Sequence, residues 1–394
     1  MALEPDELDP ASLNAQKHRS KALQPPNHSS GQAHARFGIT DIDSLPNFTK
    51  HFKANGVDSN GNPTAMWFYN MVGNPPELGG TTAIGAPIVP VSLDLLNYDG
   101  SVRFHVDATR YVNPVLQSPV FSNSTYSSST TPTQISDAIQ RAEFAKSAKD
   151  DWHTLLTPAV KAERIMRVPR GTYRFARYSD GSIRYVLIDY LTFINLLFPA
   201  TASDTTTPIG AAENAGDITT KDLSTFVFPN TFLDFNNDPT QCCVVGFHSY
   251  DSEPPDPGSK ALEKRYVVNY SSWVSPGIFS GGFADVTALS HEVSETYNDP
   301  FVASDNLHDI TPWWLAPNGN CQNNLEVGDV IEGLPRDVFP MKMPNGYTYH
   351  PQNEALLQWF EFQQYSDALG GAYSYPDETT LTTLSAPQKV NCAP

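Results

Sequence analysis

The segment ADVTALSHEVSETYNDP, residues 284–300, decides how the rest of the chain is interpreted. Asp285 is a favoured helix N-cap and Pro300 is disfavoured inside a helix, so a helix is predicted to begin near Asp285 and to end before Pro300. His291 and Glu295 are four residues apart, and they therefore lie on one face of that helix, separated by one turn. In that arrangement both side chains can bind a single metal ion.

The five residues HEVSE, 291–295, are similar to the HExxH zinc motif that zincin hydrolases carry on a helix, with glutamate in place of the second histidine. Glu292 follows His291 by about 100° around the helix axis. In zincins this position polarises water and transfers its proton, so Glu292 is the predicted catalytic base. An imidazole with a carboxylate suits Zn²⁺, while additional oxygen ligands favour other divalent metals, so zinc is the predicted cofactor.

A catalytic zinc site needs a third protein ligand and an open position for water. The downstream segment NLEVGD, residues 324–329, offers Glu326 and Asp329, and either carboxylate could complete the site. Gly328 between them is expected to let the backbone turn sharply toward the helix. Three further candidates are His308, Asp309 and His350.

Three residues outside this pattern are expected to support the site or contact a substrate. His248 alternates with Phe247 on a strand-like run, which favours a structural or indirect role over direct metal binding. His350 lies in YTYHPQNE, residues 347–354, and could bind the metal or donate a hydrogen bond in the transition state. Tyr349 in the same segment could stabilise an oxyanion.

Two hairpins are predicted where an Asp-Gly pair separates β-prone runs, one within residues 93–106 and one within 172–190. Three more strand-like runs precede the HEVSE helix, at 224–229, 242–251 and 265–274. An edge strand within 224–250 is expected to align an extended peptide substrate.

Two further helices are predicted, one within 124–160 and one within 353–369. The first has Thr133 as its expected cap. Its apolar face comprises Ile135, Ala138, Ile139 and Ala142. Mixed strands followed by helix, loop and helix favour an α+β fold, a loop-rich, zincin-like mixed sheet with an active-site helix. The predicted regions are a flexible N-terminal segment at 1–36, a strand-rich region at 37–222 and a metal-site region at 223–394.

The composition excludes some partners. The 394-residue chain has a formal net charge of −18, which disfavours binding to nucleic acid and to anionic membranes. It contains no block of about 18 uninterrupted apolar residues, so no membrane span is expected. Charged residues make up only 17%, and the 33 prolines and 24 glycines are typical of loop-rich, often exported proteins. The N-terminus lacks the apolar core of a signal peptide, so extracellular location is an expectation from composition and resemblance.

Four cysteines are available for pairing: Cys242, Cys243, Cys321 and Cys392. Adjacent cysteines are expected to resist bonding to each other because disulfide geometry disfavours it. Either Cys242 or Cys243 could instead pair with Cys321, which would join a strand to the loop after HEVSE.

Several motifs together resemble a family of metallopeptidase-like proteins of bacteria and fungi. They are GFHSYD at 246–251, YVVNY at 266–270, DVTALSHEVSETYNDPF at 285–301 and CQNNLEVGD at 321–329. This resemblance covers about 85–394, and a more distant similarity to plant exordium or phosphate-induced proteins covers about 240–330. The resemblance implies a metal site of His291, Glu295, Glu326 and Asp329 with Glu292 beside it. Cysteine spacing departs from the exordium pattern, since Cys321 precedes the acidic pair.

These observations predict a zinc-dependent metallohydrolase that cleaves peptide bonds in a peptide or protein substrate. One alternative is a metal-stabilised extracellular binding or signalling protein, in which Glu326 and Asp329 both bind the metal and close its coordination sphere. Another is a polar helix without metal, in which the carboxylates point apart. The sequence does not define the oligomeric state.

Overall fold

The computed structural model describes residues 4–13, 19–20, 42–52, 67–126, 131–302, 314–319, 321–322, 325–382 and 384. The candidate ligands His308 and Asp309 lie outside these residues. The described strands are β1 Arg19–Ser20, β2 Ile42–Asp43, β3 Asn47–Phe52, β4 Trp67–Val72, β5 Thr81–Leu96, β6 Val102–Val106, β7 His153–Val160, β8 Arg164–Val168, β9 Tyr173–Arg177, β10 Ile183–Asp189, β11 Leu223–Pro229, β12 Thr231–Phe235, β13 Asp238–Glu253, β14 Glu263–Trp273, β15 Trp314–Leu315, β16 Cys321–Gln322, β17 Met341–Lys342, β18 Thr348–Tyr349, β19 Glu354–Ala355 and β20 Ser374–Tyr375.

One mixed sheet dominates the α+β fold. Its main path runs β6-β5-β11-β14-β13-β12-β10-β9, while β7 and β8 pair with β5, β2 with β14 and β1 with β13. Strands from both sides of residue 222 join this sheet, so it spans two of the predicted regions. Residues 4–13, within the segment expected to be flexible, pack on the sheet through the buried Leu13 and a bridge from Glu7 to Phe175.

Both predicted hairpins are confirmed. Strands β5 and β6 pair antiparallel around Asp99-Gly100, and β9 and β10 pair antiparallel around Asp180-Gly181. Both glycines have positive φ, a conformation that glycine adopts without the steric cost of a side chain. The local turn chemistry therefore sets these two registers.

The helices are shorter than predicted. They are α1 Val112–Leu116, α2 Ile135–Glu143, α3 Tyr190–Leu197, α4 Pro208–Asn214, α5 Thr287–Asn298 and α6 Leu357–Phe360. The helix predicted within 124–160 is wrong after residue 143, because 153–160 forms β7 and pairs in parallel with β5. Thr133 does not cap α2, since its hydroxyl donates to Asp137 instead. The helix predicted within 353–369 is reduced to α6, because residues 354–355 pair with β20.

The expectation of an edge strand within 224–250 is wrong. Strands β11, β12 and β13 each have a neighbour on both sides of the sheet path, so their backbone groups are already paired. A peptide cannot add to an interior strand, because it offers no unpaired row of N–H and C=O groups.

The expectation that Cys242 and Cys243 would not bond is also wrong. A disulfide joins them, and their Cα atoms lie 3.1 Å apart across a cis peptide bond. A trans peptide in an extended strand would point the two side chains to opposite faces. Neither of these two cysteines is therefore available to Cys321.

Alternating side chains place helices on both faces of the sheet. Val227 and Val267 pack with Val293 of α5 in one core cluster, while Phe228 packs with Phe193 of α3 in another. Period-two alternation produces this separation, because neighbouring residues of a strand face opposite ways. Helix α5 therefore lies against the sheet, in contact with β13 and β14. The described residues contain no helix long and apolar enough to cross a bilayer.

Candidate metal centre

Helix α5 is enclosed by protein on every side. All twelve residues from Thr287 to Asn298 are buried. Its polar side chains find partners in neighbouring elements: the Ser294 hydroxyl lies 3.0 Å from that of Ser136 on α2, and the Tyr297 hydroxyl donates to the Thr154 carbonyl at 3.1 Å. A helix that is buried all round is held by its neighbours, so the HEVSE side chains have defined positions.

His291 and Glu295 face each other as their spacing predicts. His291 Nε2 lies 3.0 Å from Glu295 Oε1 and 3.6 Å from Asp329 Oδ1. Ligands bound about 2.0–2.2 Å from a tetrahedral zinc lie roughly 3.3–3.5 Å apart. His291 Nε2 therefore stands close to the separations from Glu295 and from Asp329 that a shared metal ion requires.

The loop after β16 closes over this helix face. The backbone N–H groups of Gly328 and Asp329 donate to Glu295 Oε1 at 3.1 and 3.2 Å. Gly328 is needed for close approach, because a Cβ there would lie 2.4 Å from His291 Nδ1. The expected turn at Gly328 is present, since its carbonyl accepts from the N–H groups of Ile331 and Glu332 at 3.0 Å each, and the turn forms without a positive φ at Gly328.

Gln352 fixes the tautomer of His291. The Gln352 side-chain N–H donates to the Gly328 carbonyl at 2.8 Å, so its Oε1 is the atom 3.1 Å from His291 Nδ1. The Nδ1–H of His291 then donates to Gln352, and Nε2 carries the lone pair toward the carboxylates. Sequence reasoning missed Gln352, although it lies in the quoted YTYHPQNE segment.

His248 on β13 belongs to the same cluster. Its Nε2–H donates to the Asp299 carbonyl at 3.1 Å, which leaves the lone pair on Nδ1. Nδ1 lies 3.5 Å from Glu295 Oε2 and 3.6 Å from Glu292 Oε2. The structure thus brings to the centre a histidine for which the sequence favoured an indirect role.

Two overlapping sets of donor atoms result. The ligand atoms of His248, Glu295 and Glu326 lie within 4.8 Å of one another, and so do those of His291, Glu292 and Glu295. Glu295 belongs to both sets. Both loop carboxylates predicted from NLEVGD, Glu326 and Asp329, reach the cluster, on different sides of Glu295.

Two buried carboxyls that the sequence did not single out, Glu332 and Glu354, also adjoin the cluster. Burial raises the pKa of each well above its ordinary value, although the nearby His291 opposes the rise. Burial likewise raises the pKa of Glu292 and of Glu326. The site therefore holds more acidic groups than it can ionise without a compensating cation.

The pKa values of the two histidines and of Glu295 shift toward the charged form of each group. Burial opposes charge on each of them, but His291 and His248 lower the pKa of Glu295 below its usual range. Glu295 in turn raises the pKa of His291, and Glu326 that of His248, in each case against the effect of burial. In a metal-free cluster, bound protons supply positive charge that a cation would otherwise provide.

Several buried polar atoms of the cluster make no hydrogen bond. They are His248 Nδ1, His291 Nε2, both carboxylate oxygens of Glu292, Oε2 of Glu295 and both carboxylate oxygens of Glu354. An unsatisfied buried polar atom costs about 1–3 kcal/mol, so such a concentration points to a missing partner. A divalent cation would engage these atoms, which are nitrogen and oxygen donors of the types that zinc and similar metals bind.

The remaining predicted site residues lie in other contacts. His350 Nδ1 is 2.7 Å from Asp285 Oδ2, and the His350 N–H donates to Asp285 Oδ1 at 2.9 Å. This pair braces the turn before α5. The Tyr349 hydroxyl donates to the Pro114 carbonyl at 2.8 Å. His350 and Tyr349 therefore form hydrogen bonds with residues outside HEVSE.

Comparisons with protein-family models, with curated proteins and with solved structures found no match to this chain. The resemblance to the bacterial and fungal metallopeptidase-like family accordingly rests on the quoted motifs.

Proposed function

We propose that this protein is a metal-dependent hydrolase with a zincin-like site on helix α5. His291 and Glu295 bind a divalent metal, zinc being the proposed ion, and Asp329 supplies a further carboxylate. The observation that carries this proposal is the position of His291 Nε2, which makes no hydrogen bond and lies 3.0 Å from Glu295 and 3.6 Å from Asp329. Neutral imidazole with adjacent carboxylates is a donor set suited to zinc.

Glu292 is the proposed proton acceptor. Glu292 neighbours His291 on α5. A Cβ at Gly246 of β13 would lie 2.5 Å from Glu292 Oε1, so the backbone of β13 packs closely against this carboxylate. A divalent cation would supply Lewis acidity, which lowers the pKa of water and polarises a carbonyl group. Glu292 then takes the proton from the attacking water and passes it to the leaving group.

Peptide bonds are the proposed substrate, on the strength of the resemblance and of the HExxE arrangement. The test is turnover of a mixed peptide library by the metal-loaded protein beside Glu292→Gln. We expect cleavage by the parent chain, and a loss of at least 100-fold in Glu292→Gln with the bound metal retained, because a positioned base contributes about 10²–10⁴-fold. Glu143→Gln, which alters a buried carboxyl on α2, is the matched control and should remain active. A Glu292→Gln variant as active as its parent would refute the assignment.

A metal-stabilised protein without turnover is the second candidate, and burial is the observation that favours it. His248, His291, Glu292 and Glu295 are each at most 1% exposed. Both loop carboxylates also reach the cluster, as a closed coordination sphere requires. A fully metal-loaded protein that cleaves no member of the library, yet unfolds at lower temperature when the metal is removed, would establish this alternative.

A further inference from the structure

Glu295 has a histidine on each side, and its two carboxylate oxygens face different ones. Oε1 lies 3.0 Å from His291 Nε2, and Oε2 lies 3.5 Å from His248 Nδ1. Each side also has its own loop carboxylate. Asp329 approaches His291, while the ligand atoms of Glu326, His248 and Glu295 lie within 4.8 Å of one another. The donors therefore divide into two sets that share Glu295.

We propose that the cluster binds two divalent cations bridged by Glu295. His291, Glu295 and Asp329 hold the first, as in the proposed function on which this inference rests. His248 Nδ1, Glu295 Oε2 and Glu326 hold the second. Carboxylate-bridged pairs of this kind place their metals about 3.5–4 Å apart and are built from histidine and several carboxylates.

The geometry around His248 favours a cation over a simple ion pair. Its Nδ1 lies 3.5 and 3.6 Å from Glu295 and Glu292, beyond the 2.7–3.2 Å typical of a hydrogen bond between nitrogen and oxygen. Nδ1 makes no hydrogen bond, and the side chain is fully buried. The separations instead match neighbouring ligand atoms of one tetrahedral ion, about 3.3–3.5 Å apart.

The orientation of His248 supports the same conclusion. Its Nε2–H is committed to the Asp299 carbonyl at 3.1 Å, which directs the Nδ1 lone pair at the carboxylates. A backbone carbonyl that holds the other ring nitrogen is the usual support of a metal-binding histidine. His291 has the equivalent support from Gln352. Both histidines are therefore oriented as metal ligands. His291 faces Oε1 of Glu295, and His248 faces Oε2.

The charge of the cluster also favours two cations. Its buried acidic side chains are Glu292, Glu295, Glu326, Asp329, Glu332 and Glu354. One divalent ion offsets only a minority of that potential negative charge, and uncompensated buried charge is costly. A second divalent ion allows more of the carboxylates to serve as ligands.

A manganese titration tests the proposal on the intact, metal-depleted chain. Mn²⁺ is added stepwise while bound metal is measured by elemental mass spectrometry and electron paramagnetic resonance is recorded. We expect two equivalents to bind, with the single-ion signal growing over the first and falling over the second, because two ions bridged by Glu295 couple magnetically. Saturation at one equivalent with an undiminished single-ion signal would overturn the proposal, as would no binding.

Variants assign the two positions. His248→Phe and His291→Phe should each bind one equivalent, and Glu295→Ala should bind at most one, weakly. His105→Phe, which changes an exposed histidine paired with Asp94 on the β5-β6 hairpin, is the control and should bind two. Circular dichroism of each variant separates loss of a ligand from loss of the fold, and the titration of the parent chain decides the proposal if a variant does not fold. His248→Phe with two equivalents would exclude His248 as a ligand and overturn the proposal.

The two proposals fail in different ways. Two bound equivalents without peptide cleavage would support the paired site and contradict the hydrolase. One equivalent with cleavage would overturn the paired site and leave the hydrolase standing.

Discussion

Substitution of Gly328 by alanine should weaken metal binding through a steric contact alone. A Cβ at this position would lie 2.4 Å from His291 Nδ1, 2.6 Å from His291 Cε1 and 2.8 Å from Glu354 Oε2. Real Cβ atoms essentially never approach other heavy atoms within 3.0 Å, so the loop and the imidazole must separate by at least 0.6 Å, the difference between 3.0 and 2.4 Å.

The surroundings leave the imidazole little freedom to move. The Nδ1–H of His291 donates a hydrogen bond to Gln352. The side-chain N–H of Gln352 in turn donates to the Gly328 carbonyl, and its backbone N–H donates to the Ser290 hydroxyl. The same backbone segment donates to Glu295 Oε1, so a displaced loop disturbs two ligands at once. Overpacking of this kind costs about 1–3 kcal/mol of unfolding free energy. Disturbed support of a metal-binding histidine typically lowers metal affinity by about 10–100-fold, or about 1.4–2.7 kcal/mol.

Competition with a fluorescent zinc chelator measures the affinity, and denaturant unfolding measures the stability. Gly210→Ala is the matched control, because a Cβ there would lie 2.0 Å from the Asp204 carbonyl oxygen, on α4 and outside the cluster. It should lose stability while its metal affinity stays unchanged. A Gly328→Ala variant that binds zinc as tightly as the parent chain would refute the close-approach role of Gly328.

Three further outcomes are expected. Gln352→Ala should lower zinc affinity by about 10–100-fold in the chelator assay, because His291 loses the acceptor that fixes its tautomer; unchanged affinity would contradict that role. Removal of the metal should lower the melting temperature measured by calorimetry by about 5 °C, if the ion is present at roughly a thousand times its dissociation constant; an identical melting temperature would contradict a structural contribution. Burial raises the pKa of Glu213 to about 9 and that of Asp251 to about 7, and both lie above the unfolded values, so their contribution to stability is greatest below about pH 4 and is lost as the pH rises to 9. Glu213→Gln should therefore gain as much as about 6 kcal/mol of unfolding free energy relative to the parent chain at pH 9 and about 1 kcal/mol at pH 5, as measured by urea unfolding, whereas an equal effect at both pH values would refute the raised pKa of Glu213.

Features specified by neighbouring residues could be predicted from the sequence. The two Asp-Gly hairpins formed as predicted, since a turn depends on its own backbone preferences. Helix α5 ends before Pro300, and His291 faces Glu295, because helical spacing is local. The helix begins two residues after Asp285, whose carboxylate accepts from Val286 and His350 instead of capping α5.

Features that depend on distant partners could not be predicted. Residues 153–160 follow a helix and contain apolar residues, but pairing with β5 makes them a strand. Residues 354–355 are similarly drawn into pairing with β20. The disulfide between Cys242 and Cys243 needs a backbone conformation that residue types do not reveal.

The residues of the metal centre likewise separate into those that local sequence patterns predict and those that only the fold brings together. The α5 pattern identified three of its side chains, and NLEVGD identified two more. His248, Glu332, Glu354 and Gln352 come from other segments, and only the fold of the sheet and loops brings them near His291. At His248, which follows Val244, Val245 and Phe247, the signal is a polar residue beside an apolar run. That signal shows burial but not the partner.

An anomalous difference map from a crystal of the metal-replete protein tests the central claim most directly. Data collected on both sides of the zinc absorption edge would locate the ion without reference to activity. We expect a peak about 2.0–2.1 Å from His291 Nε2 and at bonding distance from a Glu295 carboxylate oxygen. An empty map between His291 and Glu295, from protein supplied with zinc, would contradict the assignment of this cluster as a metal centre.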